Sequence, residues 1–333
     1  MPVNHNNFFK KILIYAGFFI SAILILIILS KIDWNLFFST ISQLNPYWLI
    51  VSSVLILIGV FVRSLRWNIV TMYPTGNIRQ FWKAVNLGYL GNLVYPARAG
   101  EIIRIVALKR FIEIPEGLAV ASSIIDRLAD GIMIPLFIVL IVEYLGKTIE
   151  IPFAIYFLAF FFVIFSLFLV SFIIWGKKSE EALVCRLGWI PQQWLGRISQ
   201  WYISAHEGAS ALKNPLRFSE VFSLSIIAFV LDSAAYYTLF FAFGWILPVV
   251  ASILVCIFIF AGSALPSTPG YFGIYQVACI LALQPFGING TVAVAYSLVL
   301  QCIVYIIFLS TGGWIIIKTG FSLKKVQTET DCG

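Results

Sequence analysis

Residues 88–104 read GYLGNLVYPARAGEIIR, and this stretch decides how the rest of the chain is interpreted. It begins as an apolar membrane segment and is interrupted by Pro96. Three charged residues and a glycine follow soon after: Arg98, Gly100, Glu101 and Arg104. A lipid-facing helix excludes such a group, because each unpaired charge at the centre of a bilayer costs about 3 kcal/mol. We therefore interpret the stretch as a polar site built at the membrane.

The composition of the 333 residues is that of an integral membrane protein. Hydrophobic residues make up 61% of the chain and charged residues 11%, whereas a soluble domain is about half apolar and about a quarter charged. The mean hydropathy is +0.96. The predicted fold class is an all-α polytopic membrane protein with about six full transmembrane helices and two oppositely oriented re-entrant hairpins, arranged as an inverted repeat in one interpretation.

Net charge and cysteine usage exclude several classes of partner. The formal charge is +7, but the basic residues lie between apolar runs, so loop orientation and anionic lipid headgroups explain them better than a nucleic acid does. The five cysteines and two histidines show no spacing typical of a metal site. We expect no metal, no cofactor and no nucleic-acid partner.

We predict one transmembrane domain over residues 1–333, made of two halves. The first half is 1–176, with a hairpin at 84–97, and the second half is 219–317, with a hairpin at 249–284. Between them, residues 177–218 have helical spacing of apolar residues and predict an amphipathic helix on the cytoplasmic surface, or alternatively a plain connecting loop. A short basic tail occupies 318–333.

The distribution of basic residues predicts the orientation of the chain. In one orientation, 19 of the 22 lysines and arginines face the cytoplasm, as the positive-inside rule requires. The segments on that side are then the N-terminus, residues 63–83, 98–113 and 177–217, and the C-terminal tail. Both termini are therefore expected in the cytoplasm of a multi-pass protein of the inner membrane.

This orientation predicts the two hairpins. Residues 63–83 and 98–113 lie on the same side, so 84–97 must enter the membrane and return, and it is also too short to cross. By the same parity, 249–284 enters from the opposite side, with its turn at Pro266–Gly270. Two full helices joined by a Pro-Gly turn are the alternative for this second hairpin. Paired interruptions of this kind mark the substrate site of inverted-repeat transporters.

Ionisable residues inside apolar runs are candidates for chemistry. Asp126, Arg127 and Asp130 lie within the run 114–142, with Asp126 about halfway through the hydrocarbon core. The functional hypothesis is that Arg98, Arg104 and Arg127 bind an anion. Glu101, Asp126 and Asp130 would then orient the guanidinium groups. A structural ion-pair network is the alternative. For Asp232, a helix–helix hydrogen bond and a role in transport are equally consistent with the sequence.

Catalytic arrangements do not occur in the sequence. It contains no GxSxG, no Walker A loop, no Rossmann fingerprint and no kinase motif. The carboxylates of Asp126 and Asp130 could in principle perform acid–base chemistry, but an arginine beside them favours ion pairing. We expect a protein that is not an enzyme.

Three segments resemble a known family. Residues 92–104 resemble the N-x3-P-x-R-x-G-E-x2-R signature of the lysylphosphatidylglycerol synthase transmembrane, or flippase-like, family. Residues 126–130, DRLAD, resemble its acidic-R-x2-D motif, and residues 266–276 resemble its P-x-T-P-G-G-x-G-x-x-E segment. Two positions depart from the pattern: Tyr271 stands where Gly is usual, and Gln276 where Glu is usual, which puts a proton- or cation-linked role of that position in doubt.

The resemblance implies a flippase-like transporter that moves an anionic or isoprenoid-linked phospholipid across a bacterial membrane. The alternatives are a membrane enzyme of lipid or lipid-carrier modification and a non-transporting, lipid-binding partner of a separate synthase. The soluble domain that transfers lysine in full-length synthases is not recognised in this sequence, so lysyl transfer is not expected. Partners would be an anionic membrane lipid and a separately encoded lipid synthase or glycosyltransferase.

The motifs and the resemblance together give the expected substrate-binding residues. They are Asn92, Pro96, Arg98, Gly100, Glu101, Arg104, Asp126, Arg127, Asp130, Pro266, Thr268, Pro269, Gly270, Gly273 and Gln276, with Asp232 as a further candidate.

Overall fold

The computed structural model describes residues 32–71, 77–96, 98–145, 214–263 and 269–323, with isolated residues between 19 and 31 and between 160 and 164. Within these ranges the secondary structure is helical and contains no strand, which confirms the predicted all-α fold class. The first predicted membrane run, most of the run 151–175, nearly all of the linker 177–218 and the end of the basic tail lie outside the described residues.

The described helices run in the following order: α1 Trp34–Ser42, α2 Pro46–Thr71, α3 Ile78–Val94, α4 Gly100–Ile112, α5 Glu116–Leu145, α6 Pro215–Ala242, α7 Val249–Ser263, α8 Ile274–Leu283 and α9 Gly290–Thr319. Short 3-10 turns occupy Pro269–Tyr271 and Gln284–Phe286. Helices α2, α6 and α9 are long and apolar enough to cross a membrane. Helix α5 is as long as α9 but carries buried charges and an internal Pro135.

The order of helix lengths repeats within the described chain. Long α2, the shorter pair α3 and α4, and long α5 are matched by long α6, the shorter pair α7 and α8, and long α9. Both repeats also begin alike, because Asn45-Pro46 and Asn214-Pro215 start their helices with an asparagine side chain that accepts a backbone N–H of the first turn, each at 3.0 Å. Proline suits a first helical position, where its missing N–H leaves no partner unsatisfied. These features support the inverted-repeat interpretation.

The first hairpin is longer than predicted. Its arms are α3 and α4, of 17 and 13 residues, and its turn lies at 95–99 rather than inside 84–97. Residues 98–113, which were expected on the cytoplasmic side, are mostly helical, because α4 occupies most of that segment; the side on which they lie stays a prediction. The apolar run alone underestimated the hairpin because both arms carry charged residues, of which Arg104 on α4 is buried in the protein.

The second hairpin has the predicted bounds. Helix α7 has 15 residues and α8 has 10, which correspond to about 22 Å and about 15 Å of helix. Both are shorter than a hydrocarbon core of about 30 Å. The two helices pack against each other and α8 packs against α9. Their length favours a re-entrant hairpin over two crossing helices.

The chain divides into two compact units that interleave along the sequence. Unit 1 comprises Met1–Gly59, Asn86–Arg104 and Val230–Gly333, and unit 2 comprises Val60–Val85 and Ile105–Phe229. Unit 1 thus contains the tip of the first hairpin, the second hairpin and α9. Unit 2 contains the end of α2, the base of the first hairpin, α5 and the start of α6.

Within unit 1, the second hairpin lies along the N-terminal half of α9. Ile280, near the end of α8, packs on the cluster that contains Ala295. On the C-terminal side of Ala295 in α9, the Gln301 side chain accepts a hydrogen bond of 2.9 Å from Gln276, which lies near the start of α8. The tip of this hairpin therefore points toward the C-terminal half of α9.

The first hairpin lies along the C-terminal half of the same helix. The Tyr89 ring stacks on Phe308 with 4.5 Å between centroids, and the Thr311 hydroxyl donates to the Asn86 side chain at 2.9 Å. Residues closer to the hairpin tip thus contact positions closer to the middle of α9. The two hairpins enter from opposite ends of α9, which confirms the predicted opposite orientation.

Other contacts of unit 1 place the ends of α1, α2 and α6. The Ser52 hydroxyl donates to the Ala235 carbonyl at 2.9 Å, and the Asn45 N–H donates to the Ala242 carbonyl at 3.0 Å, so the start of α2 is antiparallel to the end of α6. Helix α1 packs Phe37 against the N-terminal part of α9. This part of unit 1 is a scaffold around α9.

Unit 2 has its own core. Trp67 is completely buried, donates its indole N–H to Ser122 at 3.1 Å and meets Phe81 edge to face. A second contact stacks Phe137 on Phe229 with 4.1 Å between centroids. The C-terminal part of α2 is therefore held among α3, α5 and the start of α6.

Candidate functional site

The tip of the first hairpin holds an arginine in an unusual backbone conformation. Arg98 has φ 57°, in the left-handed region that costs an L-residue with a side chain roughly 1–2 kcal/mol. Glycine would adopt this conformation without strain. Conformations of this kind cluster where a side chain is needed for function. This backbone strain makes the Arg98 side chain a candidate functional group at the tip.

Glycines allow the two arms of this hairpin to touch. A Cβ added at Gly100 would overlap the Gly88 carbonyl oxygen and the Asn92 side chain, and one added at Gly91 would lie 2.9 Å from the Gly100 Cα. The backbones of α3 and α4 therefore pack directly. The Gly88-x-x-Gly91 spacing places both glycines on the face of α3 that contacts α4.

Asn92 orders the tip. Its side-chain oxygen accepts the backbone N–H of Gly100, the first residue of α4, at 2.9 Å. This N–H belongs to the first turn of a helix and has no partner within α4. Asn92 is buried, so the hydrogen bond closes the hairpin from inside. In this structure Asn92 and Gly100 shape the site.

Arg104 and Glu101 form an ion pair on the second arm. The Arg104 Nε lies 3.1 Å from a Glu101 carboxylate oxygen, and the exposed fractions of the two side chains are 1% and 27%. The Arg104 side chain also packs against Gly88. Glu101 therefore has the geometry of an orienting carboxylate, and Arg104 places a buried positive charge near the tip.

The tips of the two hairpins meet through Arg98. Its Nη2 donates to the Ser263 hydroxyl at 3.3 Å, and Ser263 is the last residue of α7. The sequence analysis did not identify Ser263, because a serine at the end of an apolar run has no distinctive signal. This contact brings the first hairpin together with the second at their broken ends.

The second hairpin is fixed by a buried network of amides. Gly270, with φ 71°, offers its carbonyl to both the Gln301 amide and the Tyr305 hydroxyl, the latter at 3.0 Å. The Gln276 side chain accepts the Gly273 N–H at 2.8 Å and donates to Gln301 at 2.9 Å. These bonds satisfy backbone groups that the break in the helix would otherwise leave unpaired.

The two departures from the family pattern fit this geometry in different ways. Tyr271 has φ 62°, so it adopts at a cost the conformation that the usual Gly adopts freely. Gln276 uses both ends of its amide, and a carboxylate could only accept at both ends. Pro269 lies in the 3-10 turn, while Pro266 and Thr268 lie outside the described residues.

Unit 2 contains a buried ion cluster whose centre is Arg66. Its Nε donates to an Asp126 carboxylate oxygen at 2.8 Å, its Nη2 donates to the Asp126 carbonyl at 2.9 Å, and its Nη1 donates to Asp130 at 2.7 Å and to the Ser225 hydroxyl at 3.0 Å. Arg66 is completely buried. The cluster joins α2, α5 and α6.

The position of Arg66 corrects the sequence analysis. Arg63 and Arg66 were expected in a cytoplasmic segment that begins where the apolar run ends at Val62, but α2 continues to Thr71 and both arginines are buried. An arginine fits within the helix because carboxylates on α5 neutralise it. The signal that could have located it was the pair of aspartates one helical turn apart, which requires a partner.

The main ion-pair partner of the acidic residues of α5 is therefore Arg66. Asp126 and Asp130 both bind it, while Arg127 pairs with Asp130 at 3.4 Å, as its i, i+3 spacing predicts. Arg127 is 31% exposed. This geometry favours the structural ion-pair interpretation for the two aspartates.

The structure thus collects the expected residues of unit 1 around two touching hairpin tips. The first tip holds Asn92, Pro96, Arg98, Gly100, Glu101 and Arg104, and the second holds Pro269, Gly270, Gly273 and Gln276. Residues that the sequence analysis missed are Ser263, Gln301 and Tyr305. Asp232 is a buried residue of α6 in the same unit. The substrate-binding roles of all these residues stay predictions.

The fold and these tips define a class: a multi-pass, all-α membrane protein with two helical hairpins that run along α9 from opposite ends. Residues 14–312 match the family described as the lysylphosphatidylglycerol synthase TM region, and the chain belongs to that family. A UPF0104 membrane protein of Methanocaldococcus jannaschii is 24% identical to it over 327 residues, which cover 92% of this chain and 95% of that protein. No solved structure matches the chain.

Proposed function

We propose that the protein is a lipid transporter that moves an anionic or isoprenoid-linked phospholipid between the two leaflets of the membrane. The observation that carries the proposal is the meeting of two broken hairpins, which enter from opposite ends of α9, at Arg98 and Ser263. Substrates of inverted-repeat transporters bind where such interruptions meet. Membership of a family of lipid-related membrane modules also supports a function that involves lipids.

Arg98 is the residue that meets the headgroup in this proposal. A guanidinium binds a phosphate with two parallel hydrogen bonds, which gives both energy and orientation. Arg104 adds positive charge from the adjacent arm, and Glu101 holds its side chain. The acyl chains would stay in the lipid that surrounds the apolar outer faces of the helices.

The proposal extends to the location of the protein and the source of its substrate. The protein lies in the inner membrane with both termini in the cytoplasm, as the bias of the basic residues favours. It works as a transporter rather than as an enzyme, and a separately encoded lipid synthase or glycosyltransferase supplies its substrate. A deletion strain in which a modified lipid is missing, rather than found in the wrong leaflet, would contradict this assignment.

Reconstitution tests the proposal directly. Proteoliposomes with a fluorescent phosphatidylglycerol should show faster transbilayer movement of the label, measured by dithionite quenching, than protein-free liposomes. Loss of one charge-assisted contact in Arg98→Ala should slow movement about tenfold or more at low lipid concentration. Arg79→Ala, which removes an exposed arginine of the same hairpin, is the matched control and should leave the rate unchanged. Equal rates for the two variants would contradict the assigned role of Arg98.

A further inference from the structure

We infer that the hydrogen bond between Arg98 and Ser263 is a latch, which a phosphate-bearing lipid headgroup opens by replacing Ser263 on the guanidinium. The inference rests on the proposed function, because it assigns a step to the same site. It adds a residue, Ser263, whose role is to set the affinity of the site for the lipid and to couple binding to separation of the two tips.

The hydrogen bond that forms the latch, between Arg98 and Ser263, is weak. The Ser263 hydroxyl donates its proton to the Phe260 carbonyl at 2.9 Å, so its oxygen accepts the bond from Arg98. That bond is 3.3 Å long and ends on a neutral oxygen. A phosphate oxygen carries negative charge and would accept from the same guanidinium at about 2.7–2.9 Å, and two such oxygens can be bound at once, so the bond to phosphate is the stronger one. An anionic headgroup therefore outcompetes Ser263.

Each hairpin is anchored without the latch. The first hairpin contacts α9 through Asn86 and Tyr89, and the second contacts it through Gln276 and the Gly270 carbonyl. Opening of the bond at the tips would leave both anchors in place. The end of α7 at Ser263 can thus move away from Arg98 while Gly270 and the first hairpin keep their contacts with α9.

The backbone at Arg98 directs the side chain toward this contact. The left-handed conformation at φ 57° turns the chain between α3 and α4, and the Asn92–Gly100 hydrogen bond holds that turn. The guanidinium is therefore presented at the end of α7 before any lipid arrives. Exchange of a hydroxyl for a phosphate needs no change in the tip of the first hairpin.

Ser263→Ala tests the competition, with Ser252→Ala as its matched control. Both serines lie on α7 and donate to the carbonyl three residues earlier, Ser252 at 2.8 Å, but the contact with Arg98 belongs to Ser263. In purified full-length protein, Ser263→Ala should bind dihexanoyl phosphatidylglycerol about two- to tenfold more tightly, because a hydrogen bond of net strength about 0.5–1.5 kcal/mol no longer competes with the lipid. Ser252→Ala should bind as the wild type does, and Arg98→Ala should lose most of the affinity.

Hydrogen–deuterium exchange tests the separation. Dihexanoyl phosphatidylglycerol should raise exchange in residues 260–263 of the wild type, and Ser263→Ala should show raised exchange without lipid. Slower exchange of both tips with lipid would show a clamp and overturn the latch. Unchanged affinity of Ser263→Ala relative to Ser252→Ala would overturn it as well, and equal affinity for inorganic phosphate would overturn a lipid headgroup as the occupant.

Parallel transport measurements separate the latch from the proposed function. Lipid affinity that rises in Ser263→Ala while the wild type moves no lipid in proteoliposomes would overturn transport and support the latch. Transport by the wild type with no effect of Ser263→Ala on affinity or exchange would overturn the latch and leave transport in place.

Discussion

At the scale of single residues, Arg66 carries a large share of the stability of unit 2. Arg66→Ala would leave the carboxylates of Asp126 and Asp130 buried without the cation that neutralises them. Removal of one partner from a buried ion pair costs about 3–5 kcal/mol. We expect a large loss of thermal stability in detergent, measured by the fraction of protein that stays monodisperse after heating.

Two further variants decide whether the loss comes from uncompensated charge. Arg66→Ala combined with Asp126→Asn and Asp130→Asn should recover much of the stability, because no buried carboxylate then lacks a partner. Arg79→Ala removes an exposed arginine and should change stability by less than about 0.5 kcal/mol. A triple variant as unstable as Arg66→Ala would show that packing of the guanidinium, and not its charge, holds the cluster.

The residues of the site were predictable to different degrees for physical reasons. Charge in an apolar run is costly, so Arg98 and Asp126 could be recognised from the sequence as residues with a structural or functional role. Arg66 was expected on the cytoplasmic side, because hydropathy cannot distinguish an arginine that leaves the membrane from one neutralised by a carboxylate of another helix. The left-handed backbone of Arg98 and the contact with Ser263 depend on tertiary packing, which no local pattern encodes.

At the scale of elements, the first hairpin depends on contact between its two backbones at Gly100. Gly100→Ala would place a methyl group against the Gly88 carbonyl and the Asn92 side chain, and neither backbone can move without parting the arms. Overpacking of this kind costs about 1–3 kcal/mol or more. We expect a clear loss of stability against denaturation by sodium dodecyl sulfate, measured by the change in helical circular dichroism.

Gly313→Ala is the matched control for this substitution. Gly313 lies inside α9, where an added Cβ meets no atom within 4 Å, and alanine is the better helix former by up to about 1 kcal/mol. The control should be as stable as the wild type or more stable. Equal behaviour of the two variants would contradict direct packing of α3 on α4.

The hairpins were predictable as elements, but their bounds were not. Parity of the basic segments requires a returning segment between residues 63 and 113, whichever residues form its arms. The arms themselves include Lys83, Arg104 and Lys109, which an apolar criterion excludes. Helix ends at Asn45-Pro46 and Asn214-Pro215 are local signals and could have been predicted from the sequence.

At the scale of the whole molecule, the bias of basic residues toward the cytoplasmic side persists when the buried arginines are left out of the count. Three of the 19 basic residues assigned to the cytoplasmic side, Arg63, Arg66 and Arg104, are buried within helices, and Arg98 lies at a hairpin tip. Their removal from the count leaves the bias unchanged in sign. Each hairpin returns the chain to the side from which it entered, and the predicted runs between the two hairpins cross the membrane an odd number of times. The second repeat of long helix, hairpin and long helix is therefore expected to start from the opposite side.

Because the two hairpins enter from opposite ends of α9, we expect the two ends of this helix to lie on opposite sides of the membrane. Ile246 precedes the second hairpin and Ile317 lies in the last turn of α9, and their exposed fractions are 92% and 83%. In intact cells, a membrane-impermeant maleimide should label Ile246→Cys from outside, whereas Ile317→Cys should react only after the membrane is opened. The native Cys256 and Cys279 are buried and, kept as internal controls, should not react, whereas Cys185, Cys302 and Cys332 are replaced by serine in both variants because Cys302 is exposed. Labelling of both variants from the same side would contradict a transmembrane α9, and the opposed hairpins would then lose the helix that defines their directions.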